Sequence, residues 1–260
     1  MTVDFSALKT KTFNLVKEER GYKDDRYWKP TYVNMNASAI IRFLPPPKLE
    51  ENPVVSIYSH AFEGNNGWYI ENCPSNIPGR VCPVCAYNST LWKQGAAGQA
   101  QARKQKRILK YISNIYVVKD ERNQEAEGKV FLFKFGKKIY DKIKAAMYPE
   151  IEEDRIDVFN FWEGADFILK CENSDGYPNY DKSYFRKPSV IGGLKDDSQI
   201  EKIWLQEYSL MDELKYKSDD ELKERFEFVM GKSKNEPDET EELENEWEEY
   251  SEDSLLSVPY

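Results

Sequence analysis

The sequence has little of what most catalytic and membrane-embedded sites depend on. Its one histidine is His60, so any Ser-His-Asp or Cys-His catalytic arrangement would have to use that residue. No Gly-x-x-x-x-Gly-Lys-Ser/Thr or Gly-x-Gly-x-x-Gly segment occurs, which argues against both common glycine-rich phosphate loops. No stretch approaches the roughly eighteen consecutive apolar residues of a membrane span. The pattern therefore disfavours hydrolases of the triad type, nucleotide-driven enzymes and membrane proteins.

A secretion signal is also missing from the first residues. Met1-Thr2-Val3-Asp4-Phe5 contains no basic region followed by an apolar run. We therefore expect an intracellular protein, whose four cysteines stay reduced and serve metals or chemistry.

The charge is unevenly distributed. The chain of 260 residues is 40% hydrophobic, enough to bury a core, and its formal net charge is −9. Eleven of the 46 acidic residues lie between Glu236 and Asp253, where no Lys or Arg occurs, which leaves 35 acids against all 37 basic residues in 1–234. The body can thus carry a basic face, and the acidic segment 235–260 is predicted to be disordered.

A metal site is the clearest motif. Cys82-Pro83-Val84-Cys85 forms a tight two-thiolate turn, and Cys73 and His60 precede it within 26 residues. Four such ligands predict one structural zinc ion, since no position stays open for water or substrate. The deaminase pattern is absent, because Ala61 and Phe62 follow His60. The alternative is three buried cysteines and an ordinary surface histidine.

The periodicity predicts a mixed fold. The segment 108–118 is rich in β-branched and aromatic residues and should pair with 130–135 as an antiparallel hairpin. We predict further strands at 39–44, 54–58, 156–161 and 165–171, and helices at 136–147, 197–212 and 218–231, the last with a capping box. The region 60–92 is rich in turn residues.

Basic and aromatic residues recur together, which is what binding of single-stranded nucleic acid needs. The candidates are Trp92, Lys106, Arg107, Lys110, Tyr111, Phe133, Lys134, Tyr140, Tyr177 and Tyr180. A structural role is the alternative for several of them. Phe133 alternates with Phe131 and Phe135 and would then belong to the core, and the lysines of 137–142 would be a solvated helix face.

Short motifs follow one another in a consistent order through about residues 25–232. They are Ala39-Ile40-Ile41-Arg42-Phe43-Leu44-Pro45, Gly67-Trp68-Tyr69-Ile70-Glu71-Asn72-Cys73, Cys82-Pro83-Val84-Cys85, Asn114-Ile115-Tyr116-Val117-Val118-Lys119-Asp120, Phe135-Gly136-Lys137-Lys138-Ile139, Trp162-Glu163-Gly164-Ala165 and Gly176-Tyr177-Pro178-Asn179-Tyr180-Asp181. This series resembles the single-stranded DNA-binding, helix-destabilising proteins of T-even-like bacteriophages.

The resemblance implies an α+β protein with an OB-fold core, a five-stranded β-barrel carrying an inserted zinc subdomain at about 59–107 and peripheral helices. It implies a non-catalytic, cooperative and sequence-nonspecific function in DNA replication, recombination and repair, in the cytoplasm of the infected bacterial host. Arg107, Tyr111, Phe133, Lys134, Tyr177 and Tyr180 fall where the family contacts phosphates and stacks bases, and Tyr140 falls where the family tends to have Trp.

The resemblance also divides the chain. Residues 21–234 would form the DNA-binding core, and 1–20 an arm whose Lys9, Thr10, Lys11 and Thr12 grip the neighbouring copy along the strand. The tail 235–260 would recruit replication proteins and compete with DNA.

The sequence leaves two other functions open. One is a zinc-knuckle adaptor that binds proteins and no DNA, against which the basic run 103–110 speaks. The other is a metal-dependent nuclease that uses Glu152, Glu153 and Asp154, although these acids follow Pro149 and are typical of a solvated turn.

Overall fold

The fold of residues 24–174 and 176–231, the part of the chain that the computed structural model describes, is a mixed α+β structure. The strands are β1 (Ala37–Phe43), β2 (Val55–Gly64), β3 (Gly67–Asn72), β4 (Ile108–Lys119), β5 (Val130–Phe135), β6 (Phe167–Ser174), β7 (Tyr177–Asn179) and β8 (Tyr184–Phe185). The helices are α1 (Pro83–Lys93), α2 (Gly95–Lys104), α3 (Lys137–Met147), α4 (Asp197–Trp204) and α5 (Asp219–Met230). The α+β class is therefore confirmed, while the predicted arm 1–20 and tail 235–260 lie outside the described residues.

The long strand β4 organises the antiparallel sheet. One of its edges pairs with β5 from Tyr111↔Phe135 to Tyr116↔Val130, which confirms the predicted hairpin. The other edge pairs first with β2 and then with β1. β1 also pairs with β6, which continues to β7 and β8. Within the described ranges no strand pairing joins β5 to β6, so the sheet is open and closure into a barrel is not confirmed.

The main core lies on one face of this sheet. Alternate residues of β1, ending with Ile41 and Phe43, are buried there, because successive side chains of a strand point to opposite faces. Phe43 contacts the rings of Phe135 and Phe167 at centroid distances of 5.5 and 5.7 Å. Each large apolar side chain that is fully buried stabilises the fold by about 1.5–3 kcal/mol. This core fixes the position of β4, which carries candidate site residues on both faces.

Helix α3 covers one side of that core. Ile139 and Ile143 are buried, as their spacing of four residues predicts, while Lys142 between them is half-buried and the flanking Lys138 and Lys144 are exposed. The helix ends at Met147, shortly before Pro149, which disfavours continuation of a helix. No helix in residues 24–174 and 176–231 has the length and apolar character to cross a membrane.

Helix α5 packs against the β2–β3 hairpin. It begins with the predicted capping box of Ser218 and Glu221, and Gly231 ends it in the left-handed conformation with φ 76°. A second buried cluster joins the hairpin to the helix and consists of Phe62, Tyr69, Cys73, Cys82, Val84, Phe226 and Val229. Gly64 lies so close to the helix that a Cβ there would stand 2.5 Å from the Val229 carbonyl oxygen.

Three sequence expectations need correction. The segment 156–161 is not a strand, since the side chain of Asn160 accepts hydrogen bonds from the Trp162 and Glu163 N–H groups and forms a turn. The helix expected at 197–212 ends at Trp204, because the Asn114 side chain binds both backbone groups of Tyr208. The region 60–92 is more regular than its turn residues suggest, with β2 running on to Gly64, followed by β3 and α1.

Candidate metal centre and nucleic-acid interface

Four side chains converge next to the β2–β3 hairpin. The ligand atoms of His60, Cys73, Cys82 and Cys85 all lie within 4.8 Å of one another. Cys73 Sγ lies 3.6 Å from Cys85 Sγ, and His60 Nε2 lies 3.4 Å from the sulfur atoms of both Cys82 and Cys85. The structure thus brings together the complete set that the sequence predicts.

These separations fit a tetrahedral zinc ion. With zinc–sulfur bonds of about 2.3 Å and zinc–nitrogen bonds of about 2.0–2.1 Å, tetrahedral geometry requires about 3.8 Å between sulfur atoms and about 3.6 Å between sulfur and nitrogen. These three distances agree to within a few tenths of an ångström, and the other pairs of ligand atoms lie within 4.8 Å. Three thiolates and an imidazole are also a common donor set for structural zinc.

Local structure explains the convergence. His60 is on β2, and Cys73 directly follows β3, where its N–H bonds to the Tyr58 carbonyl at 2.8 Å. Cys82 is the N-cap of α1 with Pro83 at the first helical position, so Cys85 falls in the first turn. The positive end of the helix dipole favours thiolates there.

A hydrogen bond at Nδ1 orients the imidazole of His60. Its Nδ1 lies 2.7 Å from the Gln105 carbonyl oxygen, which makes Nδ1 the protonated nitrogen and leaves Nε2 for the metal. Burial lowers the pKa of His60, but contacts with the sulfur atoms of Cys73 and Cys85 outweigh burial and raise the pKa to about 9. Binding of a metal ion at Nε2 would therefore release a proton.

A row of aromatic rings continues from this centre along one face of β2 and β4. The Arg107 guanidinium carbon lies 4.4 Å from the centroid of the Tyr58 ring, a cation–π contact. Tyr111 lies four residues after Arg107 and two before Ser113 on β4. Its ring stacks on that of Tyr140 in α3, with centroids 3.9 Å apart and an interplanar angle of 9°. We call Arg107, Tyr58, Tyr111 and Tyr140 the aromatic face.

The aromatic face connects to the loop after β7 through α3. Lys138 Nζ lies 2.9 Å from Asp181 Oδ1, and Lys142 Nζ donates to the Asp181 carbonyl at 2.9 Å. Next to Asp181, the Tyr180 hydroxyl lies 2.6 Å from that of Tyr32, and burial raises the pKa of Tyr180. Tyr177 on β7 is 75% exposed, so its ring is open to a base. The predicted residues Tyr140, Tyr177 and Tyr180 thus belong to connected elements.

The predicted lysines lie on the opposite face of β4 and β5. Lys110 and Lys134 alternate with Tyr111 and Phe133 along their strands, so they point away from the aromatic face. Lys134 Nζ lies 5.0 Å from the Tyr27 ring centroid. Burial lowers the pKa of Lys134, Glu213 opposes this, and the charges of Lys29 and Lys110 lower it further. The structure therefore separates these cations from the aromatic face.

Two further predicted aromatics occupy different environments. Phe133 is only 4% exposed and packs edge-on against Trp28, with ring centroids 5.3 Å apart. This is the core placement that the alternation of Phe131, Phe133 and Phe135 left open. Trp92 on α1 is 46% exposed, and the Arg103 guanidinium lies 5.2 Å from its ring centroid. Lys106 is exposed between α2 and β4.

Several residues of this surface are not predicted from the sequence. Tyr58, Asn76 and Gln105 contact either Arg107 or His60. Tyr32 contacts Tyr180 across 148 positions of sequence. Only the alternation of Tyr58 with His60 on β2 gave a signal, since these two residues share a strand face. The predicted motif at 9–12 lies outside the described residues.

The acids of the nuclease alternative do not converge. Glu152, Glu153 and Asp154 form an exposed 3₁₀ turn, and Glu152 pairs with Arg155 at 3.3 Å. Among the residues that the structure describes, the group of three or more side chains arranged to hold a metal is that of His60 and the three cysteines.

Comparison with known proteins agrees with this arrangement. Residues 35–230 match the family model described as gp32 DNA binding protein like. The chain is 39% identical over 216 residues to proteins of Enterobacteria phage T2 and Enterobacteria phage T4, each named single-stranded DNA-binding protein; the match covers 80% of this chain and 71% of each relative. A shorter match, 42% identical over 69 residues, covers 26% of this chain and 61% of a protein of the same name from Escherichia phage SV14. With the family model spanning both the candidate metal ligands and the aromatic face, the chain belongs to the gp32 DNA binding protein like family.

Proposed function

We propose that this protein binds single-stranded DNA cooperatively and without sequence preference, and acts without catalysis in DNA replication, recombination and repair inside an infected bacterial cell. The observation that carries the proposal is the aromatic face, where a cation and a stacked tyrosine pair share one side of β2 and β4. Membership of the family and the names of the phage relatives support it.

Binding would combine two contributions. Arg107 and the adjacent, exposed Lys106 would displace counterions from phosphates, so affinity falls steeply with added salt. Bases stack on exposed rings such as Tyr177 and on the open side of Tyr140, and each stack contributes about 1–3 kcal/mol whatever the base. A duplex keeps its bases stacked inside the helix, so it cannot use the second contribution. Binding therefore favours strand separation.

The metal would have a structural role and not a catalytic one. The donor set of His60, Cys73, Cys82 and Cys85 suits one zinc ion with no open position. Such an ion would hold the region of about 59–107 as a zinc subdomain next to the sheet. We also propose that the sheet represents an OB-fold core within 21–234, since β4 is shared by β1, β2 and β5 as in a barrel opened at one seam.

The terminal segments extend the proposal to partners. Lys9, Thr10, Lys11 and Thr12 would bind the neighbouring copy along the strand and produce cooperativity. The acidic tail 235–260 would recruit replication proteins and compete with DNA for the basic surface, as expected of a polyanion carrying eleven acids and no Lys or Arg.

Tryptophan fluorescence tests DNA binding directly, because the chain contains six tryptophans. A single-stranded oligonucleotide should quench the signal saturably, with weaker binding at higher salt, and a matching duplex should give no comparable response. A chain that responds to neither DNA refutes the proposal and leaves a zinc-stabilised adaptor. The tail would then be tested for protein partners.

Metal analysis tests the zinc site. The purified chain should carry one zinc ion, and Co²⁺ substitution should give the absorption of tetrahedral thiolate coordination. Cys82→Ser should lose the metal, whereas Cys171→Ser should retain it, because Cys171 lies on β6 with its sulfur 3.6 Å from the Met35 carbonyl oxygen. Equal metal content in both variants contradicts the assigned ligand set.

A further inference from the structure

The guanidinium of Arg107 is held by two residues that flank the metal ligands. The Tyr58 ring lies beneath it, with 4.4 Å between the guanidinium carbon and the ring centroid. Arg107 Nη1 donates to Asn76 Oδ1 at 3.0 Å. Tyr58 precedes His60 by two residues on β2, and Asn76 follows Cys73 by three. Arg107 therefore rests on the same two segments that supply two of the four ligands.

The backbone before Arg107 is tied to the metal centre as well. The Gln105 carbonyl accepts hydrogen bonds from His60 Nδ1 at 2.7 Å and from Asn88 Nδ2 at 3.3 Å. All three residues are buried, at 5%, 1% and 9% exposure for Gln105, His60 and Asn88. Only Lys106 separates Gln105 from Arg107, so the start of the arginine's segment is fixed from the same side.

These contacts leave the rest of the guanidinium available. Arginine carries five N–H donors in a planar fork, and Asn76 uses one of them. The side chain is exposed, so the remaining donors can reach a phosphate oxygen. An arginine fixed before binding loses less side-chain freedom when it meets its ligand, which strengthens binding.

We propose that Tyr58 and Asn76 are positioning residues through which the metal centre orients Arg107 toward a phosphate of the bound strand. The inference rests on the proposed function, since it assigns a device to the same DNA-binding surface. Neither residue needs to touch DNA. Their contribution should therefore depend on the presence of Arg107.

A double-mutant cycle tests this dependence. Affinity for an oligo-dT strand is measured by fluorescence titration for the wild type, Asn76→Ala, Arg107→Ala and the double variant. We expect Asn76→Ala to weaken binding about 3–10-fold in the wild type, from the lost preorganisation. In the Arg107→Ala background it should have almost no effect. Tyr58→Leu, which keeps apolar bulk on β2, should behave in the same way.

Two controls separate positioning from damage. Asn52→Ala removes an exposed amide in the loop between β1 and β2 and should leave affinity unchanged. The Co²⁺ absorption of Asn76→Ala should match that of the wild type, which shows that the metal centre is intact. Intact absorption together with a loss that vanishes in the double variant supports the proposal.

Other results overturn it in distinguishable ways. An equal loss in both backgrounds means that Asn76 acts independently of Arg107. If the wild type binds DNA and either Asn76→Ala or Arg107→Ala leaves its affinity unchanged, the positioning role is refuted. If the wild type does not bind at all, the proposed function fails first.

Discussion

Substitution of Tyr140 by leucine gives the most direct view of base stacking. Tyr140 is half-buried, and one side of its ring covers Tyr111 at 3.9 Å, so at most the other side can meet a base. One stacked base is worth about 1–3 kcal/mol, which corresponds to about 5–150-fold in affinity. Leucine retains helix propensity and apolar bulk in α3 but offers no flat surface. We therefore expect the affinity for single strands to fall within that range.

The salt dependence of the same titration identifies the cause. Tyr140 carries no charge, so the slope of log affinity against log salt should stay unchanged in Tyr140→Leu. Arg107→Ala, by contrast, should reduce the slope by about 0.7, the value for one phosphate contact on a single strand. Tyr148→Leu is the matched control, since Tyr148 is 73% exposed at the far end of α3. An unchanged affinity, or an altered slope, in Tyr140→Leu would refute the stacking role.

Three predictions concern stability, measured by urea unfolding. Phe226→Ala should cost about 3–5 kcal/mol, because Phe226 is 6% exposed and fills the cluster between α5 and the hairpin; a cost under 1 kcal/mol would contradict that packing. Gly64→Ala should cost about 1–3 kcal/mol, since its Cβ would meet the Val229 carbonyl oxygen at 2.5 Å. Burial, and next the charge of Glu50, raise the pKa of Glu207 from 4.5 to about 9. The folded state then holds a proton that the unfolded chain releases between these values, so stability falls as pH rises. Glu207→Gln should accordingly raise the unfolding midpoint at pH 8 more than at pH 4, and equal effects at both would disprove the linkage.

Local sequence signals predicted the elements whose determinants are local. The hairpin of 108–118 with 130–135, the helix starting at 136 and the capped helix ending at Gly231 all follow from periodicity, capping and glycine conformation. The end of α4 at Trp204 could not be predicted. It depends on Asn114, which lies 94 positions from Tyr208 and captures its backbone groups.

The candidate metal ligands were predictable because a zinc site requires a narrow set of donor types at short spacing. The nucleic-acid surface was only partly predictable. Register decides which face a strand residue occupies, and it places Arg107 with Tyr111 but Lys110 with Lys134 on the other side. Basic and aromatic residues that are adjacent in the sequence therefore lie on opposite faces of the sheet. Asn76 carries no motif of its own and Tyr58 only shares a strand face with His60, so only the folded chain brings them to Arg107.

The contact between α5 and the β2–β3 hairpin decides whether the region of the candidate metal centre can fold on its own. Its apolar cluster is completed by Phe226 and Val229, which lie more than a hundred positions beyond the last cysteine ligand. A peptide of 59–107 would expose Phe62 and Tyr69 to water, because it lacks the side chains of α5 that they pack against. In such a peptide, the coordination of zinc would have to replace the stabilisation that the apolar contacts with α5 provide. We therefore expect that residues 59–107 do not fold as an autonomous unit, and that deletions that remove α5 weaken metal retention as well as stability.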